Sequence, residues 1–284
     1  MAINVLVNGL LERDSGKTWF TIALYNALRS RGYKVGIYKP ISGHDGWRQF
    51  NTILESIKRS LLVGEDVLNY LNYTDLKYNI ILINPIDFLL IPSDYKSYKS
   101  TSEYITSLED QYKQTILVRI SNYEEGFTNY YRIPENYNRV MYSLRMWIDK
   151  LYGIFNPIDI DIRQLFNILS TKYIDKILDR SLEILSDEND YVLIEAFNNI
   201  STPYKNILRN IDVILTVTPG YIIKPRFKKA MELLKKDLGR YMTTEYLLAE
   251  AGVDRLINVP PSKNITELSN YIKNNWSKYQ SLIE

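Results

Sequence analysis

Cysteine is absent from the 284 residues, and histidine occurs once, at His44. The first absence excludes disulfides and thiolate-bound metals and fits a reducing, intracellular setting. The second excludes a centre built from several histidines of this chain. A surplus of charge is missing as well. The 35 Lys and Arg against 33 Asp and Glu leave a formal charge of +2, which removes any global electrostatic argument for nucleic acid or an anionic membrane as partner. Long apolar runs are also lacking. The longest, Ile80 to Pro92, is interrupted by Asn84, Pro85 and Asp87 and is too short to cross a bilayer. The opening Met1-Ala2-Ile3-Asn4 has neither the basic end nor the apolar centre of a signal peptide. These absences together predict a soluble, cytoplasmic protein with no membrane partner.

What is present is a 45% hydrophobic content, ample for a core. The length exceeds the usual single domain, yet one α/β domain with a sizeable insertion accommodates it. Strand-like and helix-like stretches alternate through both ends of the chain. That order predicts a three-layer α/β domain, 1–284, with a mostly parallel sheet and an inserted segment at about 78–157.

The most informative stretch runs from Asn4 to Gly43. An apolar strand, Val5 to Val7, enters a loop ending in Ser15-Gly16-Lys17-Thr18, after which Phe20, Ala23, Leu24, Ala27 and Leu28 recur at helical spacing. Strand, phosphate loop, helix is the order that anion binding requires. The first-turn N–H groups of a helix lack internal partners and stand at the positive end of its dipole. Gly16 permits close backbone approach, Lys17 supplies a point charge, and the Thr18 hydroxyl can ligate Mg²⁺. A standard phosphate loop carries glycine where this chain has Leu11. The nearest glycine is Gly9, so the loop is longer and also includes Glu12, Arg13 and Asp14.

Lys34 to Tyr38 reads as the second strand of a β-α-β unit, and Lys39-Pro40-Ile41-Ser42-Gly43 follows it directly. The carboxyl ends of parallel strands line the ligand crevice, so Lys39 is expected on the same edge as the phosphate loop, where it could hold an anionic substrate or a transferred phosphoryl group. His44 and Asp45 stand next in line, and a proton-transfer role for His44 is conceivable.

The long glycine loop ending in Gly16-Lys17-Thr18, the helix finishing near Arg31-Gly32-Tyr33 and the strand running into Tyr38-Lys39-Pro40-Ile41-Ser42-Gly43 together resemble dethiobiotin synthetase and the cobyrinic-acid amidating enzymes. The match is close over about the first 45 residues and patchy beyond them. The resemblance implies a P-loop ATPase using ATP and Mg²⁺, with Lys17 and Thr18 on phosphate and metal and Lys39 toward substrate or γ-phosphate. It also implies a metal-associated aspartate at a helix start, for which Asp66 in Gly64-Glu65-Asp66-Val67 is the counterpart and Asp45 the alternative by proximity.

The second anchor is Tyr191 to Glu195, an apolar strand ending in an acid, as Walker-B acids do beside Mg²⁺ and the γ-phosphate. Glu195 looks like the synthetase glutamate that precedes a glycine-rich loop, although Asn198 and Asn199 stand here in place of glycines. Asp212 to Val217 reads as a further strand. Thr218-Pro219-Gly220 is expected to lead to a helix with Pro225 in its first turn and Phe227, Ala230, Met231, Leu234 and Leu238 on its apolar face. Arg226, Lys228, Lys229, Lys235 and Lys236 form its basic face, read as solvated, with an acidic partner as the sharper alternative. Arg255 to Val259 reads as the last strand. In the resembled enzymes a loop at this point contacts adenine, which makes Val259 and Pro260 the candidate base neighbours.

Within the insertion, Ile80 to Ile83, Phe88 to Ile91 and Thr115 to Ile120 look like strands. Its many tyrosines invite a base-stacking reading, but the basic residues are scattered among acids and form no evident patch for nucleic acid. Two functional classes follow. One is an ATP-dependent ligase acting on a small carboxylate or carbamate. The other is an ATP-driven switch acting on a protein partner, with a second copy of the chain also open as partner.

Overall fold

The computed structural model describes residues 2–236 and 242–283. The strands in chain order are β1 (Ile3–Gly9), β2 (Val35–Tyr38), β3 (Ile41–Asp45), β4 (Ile86–Leu90), β5 (Thr115–Asn122) and β6 (Phe127–Arg132). They continue with β7 (Ile158–Asp159), β8 (Tyr191–Glu195), β9 (Val213–Thr218), β10 (Tyr221–Pro225) and β11 (Val253–Asn258). The helices are α1 (Lys17–Arg29), α2 (Phe50–Arg59), α3 (Glu65–Tyr73), α4 (Ile80–Ile83), α5 (Thr101–Glu109), α6 (Gln111–Gln114) and α7 (Pro134–Tyr137). After them come α8 (Tyr142–Phe155), α9 (Ile162–Leu169), α10 (Lys172–Glu188), α11 (Phe227–Leu234), α12 (Thr244–Ala251), α13 (Ile265–Asn274) and α14 (Trp276–Ile283).

The chain forms two compact units. Unit 1 comprises Met1–Ile41, Asn69–Ile83 and Leu178–Glu284, and unit 2 comprises Ser42–Leu68 and Asn84–Ile177. Of the insertion expected at about 78–157, residues 84–157 lie in unit 2, which also takes in 42–68 and 158–177, while 78–83 lie in unit 1.

Unit 1 is built on a six-stranded sheet in the order β11-β10-β9-β1-β8-β2. The central pairs β9–β1, β1–β8 and β8–β2 are parallel. β10 runs antiparallel to both of its neighbours, so the sheet is mixed, and the expectation of a mostly parallel sheet is corrected to that extent. The cause lies at Pro219-Gly220. Gly220 has a φ of 83°, and proline followed by a left-handed glycine turns β9 back on itself as a hairpin where a helix had been expected. Pro225 accordingly ends β10 instead of opening α11. It sits at a register shift, where a residue without an N–H breaks no ladder bond. Leu238, expected on the apolar face of the following helix, lies outside the described residues.

β1 is central because its residues are apolar on both faces: Val5, Leu6 and Val7 are all fully buried. α1 packs its stripe of Phe20, Ala23, Leu24, Ala27 and Leu28 inward, and it also meets α13. Each such buried Leu or Phe contributes about 1.5–3 kcal/mol relative to exposure.

Unit 2 carries a five-stranded sheet, β3-β4-β5-β6-β7, antiparallel at β4–β5 and β5–β6 and parallel at β6–β7. Its core joins Ile53 of α2, Leu89 of β4, Ile116 and Leu117 of β5, and Leu144, Ile148 and Leu151 of α8. Ile80 to Ile83, read from the sequence as a strand, is instead the short helix α4. The Asn79 side chain accepts from Ile81 N at 3.0 Å, and the Asn79 carbonyl accepts from Leu82 N and Ile83 N. A four-residue apolar run has no periodicity to separate strand from helix, and a preceding asparagine cap decides the matter. The polar stretch from Ser93 to Gln114 holds α5 and α6, each opened by a side-chain cap, Ser100 and Asp110. Among the described residues no helix is long and apolar enough to cross a membrane.

Candidate functional site

Strand register alone brings three parts of unit 1 together. Val7 of β1 is level with Glu195 of β8, and Tyr38 of β2 is level with Ile194. The carboxyl ends of these strands therefore emerge at the same sheet edge: Asn8-Gly9 at the end of β1, Glu195 at the end of β8 and Lys39 just after β2. Buried Asn8 fixes the edge on the other side, donating to Ser201 O at 3.1 Å and accepting from Thr216 Oγ1 at 2.6 Å.

Glu195 is completely buried and accepts from distant parts of unit 1. Thr18 Oγ1 donates to Oε1 at 2.9 Å, Lys39 Nζ donates to the same oxygen at 2.6 Å, and Tyr70 OH donates to Oε2 at 2.5 Å. The Lys39–Glu195 ion pair is itself buried, with side chains 4% and 0% exposed. Charges taken out of water are tolerated only when paired and further hydrogen-bonded, and Thr18 and Tyr70 provide those bonds.

The β1–α1 loop lies beside this carboxylate. Gly16 caps α1 with a φ of 88° and no side-chain cap, and Phe20 N donates to its carbonyl at 3.0 Å. Lys17 is 9% exposed, and its Nζ donates to Asn198 O at 2.7 Å and Ser15 Oγ at 3.2 Å. Gly9 leaves room for that arrangement. A Cβ there would stand 2.3 Å from Ser15 Oγ and 2.7 Å from Lys17 Nζ. Glu12, Arg13 and Asp14 are exposed along the loop, with Asp14 at a φ of 53°.

Val259 and Pro260 follow β11. This strand runs in the direction of β9 because β10 opposes both, so the two residues reach the same edge as the loop, displaced by roughly 14 Å of strand spacing. Val259 N donates to Gly220 O at 2.8 Å.

The other expected carboxylates belong to unit 2. Asp66 lies in the first turn of α3, and Asp45 accepts from Trp47 N and Arg48 N, which is the local role of a turn aspartate. Thr18 and Glu195 are thus brought together within unit 1. Among the described residues no group of three or more His, Asp or Glu side chains is arranged to hold a metal ion. His44 is buried in unit 2, its Nδ1 3.3 Å from Asp87 Oδ1, an oxygen that also accepts from Ser42 Oγ at 2.6 Å. Burial pushes the Asp87 carboxyl up, but His44, the Arg119 guanidinium and the Ser42 hydroxyl together outweigh it and hold it below the ordinary carboxylate value.

Two contributors escaped the sequence reading. Tyr70 lies on the buried face of α3, where a tyrosine hydroxyl requires a partner; that requirement was the available signal, although it names no partner. The carbonyl of Asn198, which accepts from Lys17, has no signal in residue type. Its left-handed φ of 45° does explain the residue type: asparagine tolerates that conformation better than most residues other than glycine. No protein-family model matches the chain, and no curated protein matches it either.

Proposed function

We propose that unit 1 is a P-loop-type module, with the three-layer arrangement of such folds, that binds ATP with Mg²⁺ and hydrolyses it or transfers its γ-phosphate. The reaction class is a ligation on a small carboxylate or carbamate. The observation that carries this reading is the convergence of the Thr18 hydroxyl and the Lys39 ammonium on Glu195 beside a loop whose lysine and helix start face the same edge.

The residues present suit the group. Lys17 would exchange the Asn198 carbonyl for phosphate oxygens, a stronger acceptor for a cation. The first-turn N–H groups of α1 would hold the same phosphates. Thr18 and Glu195 offer one hydroxyl and one carboxylate, a sparse oxygen set of the kind Mg²⁺ uses when phosphates and water complete its shell. Mg²⁺ held there would supply positive charge against the negative charge that develops on the phosphates. Lys39 would turn from Glu195 toward a second anionic group, keeping a cation at the point where charge accumulates. Val259 and Pro260 are the proposed neighbours of the base. Positioning and charge stabilisation suffice for such a reaction, and no covalent nucleophile is required.

The test is nucleotide binding by calorimetry with parent and Lys17→Ala. Parent binding that depends on Mg²⁺ and is lost in the variant supports the reading, and equal affinity overturns it. Phosphate release that requires a small carboxylated compound identifies a ligase. Release stimulated by a protein partner alone identifies a switch.

A further inference from the structure

We propose that the surface formed by β10, α11 and β11 in unit 1 binds the phosphate backbone of duplex nucleic acid. Two local arrangements there run against ordinary electrostatics. In the β10–β11 ladder Lys224 stands directly opposite Arg255, and like charges in that position weaken a sheet. Burial, and then the charge of Arg255, hold the Lys224 ammonium below its ordinary value. α11 then begins with exposed Lys228 and Lys229 and has no acid in its first turn, although the helix dipole disfavours cations at that end. Arg226 lies between these features, its guanidinium 3.8 Å from where a Cβ of Gly252 would be.

Lys235 and Lys236 repeat the lysine pair on the same side of the helix, displaced by about 10 Å along its axis. None of these cations forms an ion pair among the described residues, and the nearby acids Glu232 and Asp254 form none either. The chain as a whole carries only +2, so the concentration is local.

The residue types select the partner. Lysine is a compact point charge suited to phosphate, and it is depleted from protein–protein interfaces, where aromatics and arginine dominate. Ala230, Met231 and Leu234 of α11 are buried in the protein, and Phe227 by itself is the exposed large apolar side chain of the helix, so α11 presents no apolar stripe to sink into lipid. The separation of the two lysine pairs is close to the width of a major groove, about 12 Å, so they can meet phosphates on both of its walls.

The experiment is a fluorescence-anisotropy titration of the full chain with a labelled duplex at several salt concentrations. Parent protein is expected to bind with an affinity that falls steeply with salt. Lys228→Glu/Lys229→Glu should weaken binding by at least about tenfold and lower the salt slope by about two. The melting temperature should hold or rise, because glutamates suit the first turn of a helix. Lys235→Gln/Lys236→Gln reads the same face independently. Lys17→Ala should bind duplex as the parent does, which separates this surface from the proposed nucleotide site. The proposal is overturned by no binding at about 50 mM salt, by unchanged binding in both lysine variants, or by loss of binding in Lys17→Ala. Tighter binding to phosphatidylserine vesicles or to polyglutamate than to duplex overturns it as well.

Discussion

Glu195 holds three donors at once, and removing them one at a time should have unequal effects. Tyr70→Phe deletes a hydrogen bond to a charged acceptor and is expected to cost about 1.5–3 kcal/mol. Lys39→Ala leaves a buried carboxylate without its counter-charge and is expected to cost about 3–5 kcal/mol. Urea denaturation of the two variants checks the order, and a smaller effect for Lys39→Ala would mean that Glu195 is not held as an ion. Gly9→Ala should displace Lys17, since a Cβ there would come within 2.7 Å of its Nζ. Nucleotide affinity should then fall with little change in melting temperature. Asn198→Gly should be nearly silent in both assays, because Lys17 is held by the backbone carbonyl and glycine accepts the same φ. The sequence made Lys17, Thr18, Lys39 and Glu195 legible because each ends or follows a recognisable element. It could not reveal that Lys39 and Glu195 also satisfy one another, since that depends on the β2–β8 register, nor that a main-chain oxygen completes the set.

Elements with a long period or a recognisable flanking motif were legible, and several short ones, α4 and β10 among them, were not. α1 and β8 are where the pattern puts them. β10 was hidden because Pro219-Gly220 and Pro225 read equally well as a helix approach, and only pairing with β9 and β11 makes five residues a strand. Within unit 2, β3, β4 and β5 gather Ser42, His44, Asp87 and Arg119, and this arrangement carries a pH dependence. The Asp87 carboxyl is held below its ordinary value of 3.8, so its contribution to stability is complete above that pH and is lost as the pH falls beneath it. Thermal melts from neutral pH to about pH 2 should show that loss, and Asp87→Asn should be less stable at neutral pH with a flatter acid limb. Arg119 bonds to Leu62 O, Ser121 Oγ and Asn84 from a fully buried position, so Arg119→Met should be among the most damaging substitutions in the unit.

At the scale of the molecule, unit 1 is assembled from three separate stretches of chain. Its central strand, β1, lies between β8 and β9, and neither exists until the ribosome has added roughly 180 further residues. At about 5–20 residues per second that interval is on the order of ten seconds or more, during which an apolar strand has emerged with both edges unpaired. Nascent chains stalled before Tyr191 should leave β1 sensitive to protease, and chains extended past Asn258 should protect it. The sheet order therefore imposes a delivery problem during synthesis: the first strand made waits longest for its neighbours, and a holdase that shields it in the meantime should raise the yield of folded protein.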